Sequence, residues 1–151
     1  MQYIQEAKEE TDDAACVFCS IPGAESDRVL TRGDLAYVVL NKFPYNPGHV
    51  LVVPLRHVGE LEEVSAEENA ELQALLQRSI GALRRTSEPH GFNVGLNLGR
   101  IAGAGIPGHL HWHVVPRWSG DTNYMPVVGE TRVLPELIAE TYRRLRPAFD
   151  V

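Results

Sequence analysis

The chain has 151 residues, 44% of them hydrophobic, with 14 basic and 20 acidic side chains for a formal net charge of −6. That length suits one domain with a core that needs no disulfide staples. The acidic balance argues against nucleic acid or a membrane surface as partner, and no apolar run approaches the roughly 20 residues of a membrane span.

Residues 1–14 are dense in Glu, Asp and Lys and read as a tail, which leaves 15–151 as the domain. They lack the apolar segment of a signal peptide, so a cytoplasmic location is expected. Cys16 and Cys19 form a Cys-Val-Phe-Cys pair. In a reducing compartment such a pair points to a metal site or redox pair before a structural disulfide. Strands are expected at 28–31, 35–41 and 49–54, rich in Val and Leu and broken at Gly33-Asp34 and Pro47-Gly48. Ser65 followed by Glu68 is a capping-box signature, and Leu72, Leu76, Ile80 and Leu83 then mark one helical face. Two more strands are expected at 92–98 and 109–116, joined by a glycine-rich stretch. A last helix is expected at about 135–146, with Leu134, Leu137, Ile138, Tyr142 and Leu145 in register. An antiparallel meander flanked by two helices makes an α+β domain.

The chemistry concentrates in His109-Leu110-His111-Trp112-His113, which holds three of the six histidines. In a strand, alternate side chains share a face, so the three imidazoles would line one surface. Packing gives no reason for that. Two readings follow from spacing alone: a three-histidine metal centre, or a nucleophilic imidazole with supporting histidines. The loop before the cluster contains Gly99, Gly103, Gly105 and Gly108, whose backbone amides could approach an anion as in phosphate-binding nests.

His-Leu-His-Trp-His-Val-Val resembles the signature of the histidine triad (HIT) family. The segment from Asn41 through Pro47-Gly48-His49 to His57, the strand Gly-Phe-Asn-Val-Gly-Leu-Asn-Leu-Gly, and the tail Pro-Arg-Trp-Ser-Gly-Asp-Thr-Asn-Tyr-Met are also similar to that family. The resemblance runs from about Cys16 to Leu145. It implies a HIT-like five-stranded antiparallel sheet with two helices, and a homodimer in which the sheets of two chains join; the apolar residues and glycines of 92–98 make that stretch the expected interface.

The resemblance further implies a nucleotidyl-histidine intermediate on His111. His113 would contact the phosphate or the leaving-group oxygen, and His49 would support it. Asn41 would bind the ribose, while Asn97 and Gly99 would approach the phosphates. Many members place Gln and then Ser or Thr shortly before the triad. This chain has Ala104-Gly105-Ile106 in a linker one residue longer, so the amides of Gly103, Ala104 and Gly105 are expected to serve instead. The linker length and the tail resemble the diadenosine tetraphosphate phosphorylase branch, which usually has Ser at the position of Gly105. A zinc-binding subgroup of the family matches at Cys16, Cys19, His57 and His109, which implies a structural zinc. The expected function is cleavage of a dinucleoside polyphosphate, with phosphate rather than water as acceptor and Arg100 and Arg117 as possible counter-charges. The alternatives are a nucleoside phosphoramidase of the same family, a nucleotide-binding module without turnover, and a three-histidine zinc hydrolase. His90 receives no role.

Overall fold

The computed structural model describes residues 16–23, 26–122 and 136–150. Five strands, β1 (Val29–Arg32), β2 (Ala36–Leu40), β3 (Val50–Pro54), β4 (Gly91–Gly95) and β5 (Trp112–Arg117), form one antiparallel sheet in the order β1-β2-β3-β5-β4. Among the described residues three α-helices accompany it: α1 (Val17–Ser20), α2 (Ala66–Ser87) and α3 (Ile138–Leu145). The α+β class and the five-stranded sheet are as the sequence implied. The strand order departs from a simple meander, because α2 carries the chain past the centre to the far edge and β5 returns between β3 and β4.

Both faces of β2 and β3 are covered, which is why these strands read as unbroken apolar runs and why every residue in them is buried. Val38, Leu40, Val50, Val52 and Val114 face α2, where they meet Leu72, Leu75, Leu76 and Leu83. The alternate residues Tyr37, Val39, Leu51 and Val53 face the other way and pack against Cys16, Phe18 and Ile21. The Tyr37 hydroxyl donates to the Phe18 carbonyl at 2.8 Å and so holds α1 on the sheet.

The capping box is present: Glu68 N–H donates to Ser65 Oγ at 3.2 Å, and Ser65 N–H donates to the Glu68 carboxylate at 2.9 Å. Glu68 is also held by the Arg56 guanidinium, both of whose contacts are 2.8 Å, and its carboxyl drops to a pKa of about 2 for that reason first. The expected strand at 109–116 begins later, at Trp112. The Leu110 N–H donates to the Val58 carbonyl at 2.8 Å rather than to the sheet, so His109–His111 leave the ladder. The strand at 92–98 correspondingly ends at Gly95, opposite His113, because nothing continues the pairing beyond it. Leu137 precedes α3 and is 70% exposed, so it does not share that helix's apolar face. The tail 1–14 and Leu134 with Pro135, at the expected start of the last helix, lie outside the described residues. Among the described residues no helix is long and apolar enough to cross a membrane.

Candidate active site

The turn of α1 brings Cys16 and Cys19 to the same side, and the loop after β3 brings His57 beside them. The donor atoms of Cys16, Cys19, His57 and His109 all lie within 4.8 Å of one another. Cys16 Sγ is 3.4 Å and Cys19 Sγ 3.5 Å from His109 Nδ1, and Cys19 Sγ is 3.3 Å from His57 Nδ1. A tetrahedral ion bound at ordinary metal–sulfur and metal–nitrogen lengths would separate such donors by about 3.6 Å. The two cysteines are not joined in a disulfide. The fully buried His109 donates from Nε2 to the Pro54 carbonyl at 2.9 Å, which leaves the Nδ1 lone pair turned toward the sulfurs. These four residues can hold a metal ion. The three triad histidines do not converge on one, since His109 turns away to the thiols.

His111 is aimed by the same residue. Its Nδ1–H donates to the His109 carbonyl at 2.8 Å, so Nε2 carries the lone pair. Burial pushes the imidazole below its ordinary pKa, and the bond to the His109 carbonyl opposes this only in part. Near pH 7 the ring is therefore neutral and nucleophilic at Nε2.

The tautomers of His49 and His113 follow from the backbone. The Tyr45 N–H donates to His49 Nδ1 at 3.0 Å, so the His49 proton sits on Nε2. His49 Nε2–H then donates to His113 Nδ1 at 2.9 Å, and His113 must carry its own proton on Nε2. That buried Nε2–H has no protein partner among the described residues. Burial, and next the neighbouring His111, bring the His113 pKa down to about 4.

His111 and His113, whose ring centroids are 5.1 Å apart, line a cavity of about 350 Å³, a size suited to a small-molecule ligand. Phe18, Ile21, Val39 and Leu51 make its apolar wall, and Asn41, Gly103 and Gly105 also border it. Asn41 Oδ1 accepts the Phe43 N–H at 3.0 Å, an Asx-type contact that sets the loop after β2. Asn97, Gly99 and Ala104 are not among the lining residues. Their loop closes on itself: Gly103 N–H donates to Arg100 O at 3.0 Å, Ala104 N–H to Gly99 O at 3.2 Å, and Asn97 Nδ2 to Gly103 O at 3.5 Å. Two of the three amides expected to face phosphate are thus engaged inside the loop. Arg117 is likewise occupied, by Asp121, Asn93 and Thr122. Its sequence gave no sign of that.

A profile of the HIT domain matches residues 23–120, and the chain is 47% identical to the AP-4-A phosphorylase of Mycobacterium tuberculosis, with 96% of this chain and 78% of that protein covered. The chain belongs to the HIT family. Another HIT relative, the adenosine 5'-monophosphoramidase of Schizosaccharomyces pombe, is 32% identical over 68% of this chain and 74% of its own length. A zinc-bound histidine triad family protein from Mycobacterium smegmatis has the same fold, with a TM-score of 0.75 at 28% identity, covering 92% of this chain and 96% of that one. Sequence reasoning missed Phe18, which packs on the His111 ring at 4.9 Å, and the backbone amide of Tyr45. Phe18 sits between the two cysteines, where the metal motif masks it, and a backbone donor leaves no mark in a sequence.

Proposed function

We propose that this HIT protein is an enzyme that splits dinucleoside polyphosphates such as diadenosine tetraphosphate by phosphorolysis. The observation that carries the reading is the bare Nε2 of a neutral His111 beside a nucleotide-sized cavity, with the His113 Nε2–H next to it. His111 Nε2 attacks the α-phosphorus; a P–N bond forms as the P–O bond to the leaving nucleoside polyphosphate breaks. The His113 Nε2–H hydrogen-bonds the departing oxygen as negative charge builds on it, and His49, donating to His113 Nδ1, holds that donor in place. An oxygen of inorganic phosphate then attacks the same phosphorus, the P–N bond breaks, and a nucleoside diphosphate leaves. Diadenosine tetraphosphate and phosphate would thus give ATP and ADP.

Asn41 is the ribose ligand in this reading, and the Gly105 amide, which has no partner within the loop, faces the phosphates. Zinc is the ion that fits Cys16, Cys19, His57 and His109; it supplies a fixed crosslink between α1 and the residue that aims His111. Thiols that hold a metal rather than a disulfide suit a reducing cytoplasm. The same donor at His113 would also serve an amine leaving group, so a phosphoramidase is the second reading. Labelled diadenosine tetraphosphate incubated with and without millimolar phosphate separates the outcomes. ADP carrying the added phosphate is expected; AMP and ATP at a phosphate-independent rate would make the enzyme a hydrolase.

A further inference from the structure

The Asp121 of the tail motif Gly-Asp-Thr-Asn-Tyr-Met is not used in the chemistry above, yet among the described residues it is one of the most heavily bonded side chains. Asp121 Oδ2 accepts from Arg117 Nε at 2.6 Å, Asn46 Nδ2 at 2.8 Å and Trp118 N–H at 3.1 Å, while Oδ1 accepts from Arg117 Nη2 at 2.8 Å. An ion pair whose arginine is 40% exposed adds little stability by itself. What the pair fixes is Asn46. Its amide donates also to the Pro116 carbonyl at 2.9 Å, so the loop after β2 is fastened to the end of β5 at two points.

Asn46 opens the turn that delivers His49. The His49 N–H donates to the Asn46 carbonyl at 3.1 Å, across Pro47 and a Gly48 at φ +83. Only glycine suits Gly48, since a Cβ there would also lie 2.9 Å from a Leu83 methyl. Tyr45, the residue before Asn46, gives the N–H that fixes the His49 tautomer, and its ring lies parallel to that of His113 at 5.9 Å. Asn41 Nδ2 also approaches His49 Nδ1, at 3.4 Å, but the Tyr45 N–H and the turn that delivers His49 both adjoin Asn46.

We propose that Asp121 is a positioning residue for leaving-group departure, acting through Asn46 and the His49 turn on the hydrogen bond that the His113 Nε2–H gives the departing oxygen. The proposal rests on the nucleotidyl-transfer reading of His111 and His113. Its consequence is selective. A misplaced hydrogen-bond donor slows departure of a poor leaving group, on which much charge builds up, whereas a group that leaves as a stable anion is little affected.

The test uses the full chain with two aryl esters of adenosine 5'-monophosphate, the phenyl ester as poor leaving group and the p-nitrophenyl ester as good one. Asp121→Ala is expected to lower the ratio of phenyl to p-nitrophenyl kcat at least tenfold, with both KM values within about threefold of the parent. Asn46→Ala should show the same split, and the double variant should add little to either single one. Asp121→Asn, which keeps the shape, tests the point if the alanine variant melts early. Nitrogen-15 shifts of His113 give a readout independent of turnover: one tautomer, with Nε2 protonated, in the parent and a mixture in the variants. An equal loss on both esters, or an unchanged His113 tautomer, overturns the proposal. A parent that cleaves neither ester sinks the nucleotidyl-transfer reading and this proposal with it.

Discussion

The imidazole of His111 owes its state to two local facts: its burial and the His109 carbonyl on Nδ1. Removal of the nucleophile leaves these surroundings standing. His111→Asn is expected to lower turnover by several powers of ten while nucleotide affinity stays within about threefold. Rapid-quench kinetics and calorimetric titration check the two halves, and turnover within tenfold of the parent would refute a covalent route. His113 offers a test in the absence of substrate. It faces His111, His49 and Tyr45, and its folded-state pKa of about 4 lies below the ordinary 6.5. Between these values the unfolded chain binds the proton and the folded chain does not, so stability falls as pH drops from 6.5 to 4. The melting temperature should decline over that window, and the decline should be shallower in His113→Asn. A slope unchanged by the substitution would mean that His113 is not the titrating group.

At the scale of elements, what the sequence made legible was what its local patterns encode. The capping box marks the start of α2, the apolar face marks its course, and the period of two puts Trp112 and Val114 on the core side with His113 opposite. The ends of β4 and β5 were not legible, because Leu110 bonds to Val58, a residue 52 positions earlier, and no local pattern records that. The helical turn α1 escaped notice for a different reason: four residues are too few to show a period. Its place on the sheet depends on Tyr37 and on the thiol–imidazole cluster. Purified protein is therefore expected to contain about one zinc per chain by elemental analysis. Cys16→Ser or strong chelation should release it and lower the melting temperature by roughly 5 °C or more. An unchanged melting temperature in metal-free protein would show that the four residues do not form a structural site.

The whole molecule has two sheet edges, and they are finished differently. At β1 the register with β2 shifts between Val29 and Thr31, and Arg32 reaches the Pro22 carbonyl at 3.1 Å, so that edge is bent and partly covered. Such irregularities are how proteins keep an edge from pairing with another strand. Among the described residues the edge at β4 has no comparable device. It pairs regularly with β5 along its length, Val94 is 44% exposed, and Leu98 and Ile101 beyond it are exposed too. The triad resemblance implies a dimer, and the apolar residues and glycines of 92–98 put its interface in this stretch; among the described residues nothing pairs with the outer side of β4, so a second copy related by a two-fold axis would satisfy the open backbone groups and cover the apolar side chains of both chains at once. We therefore expect the chain to sediment at twice its mass at micromolar concentration. Val94→Lys, which puts a charge on the edge without touching the cavity, should shift that mass toward one chain. A parent that sediments as a single chain at micromolar concentration would exclude this arrangement, and a Val94→Lys protein that remains fully dimeric would move the interface away from β4.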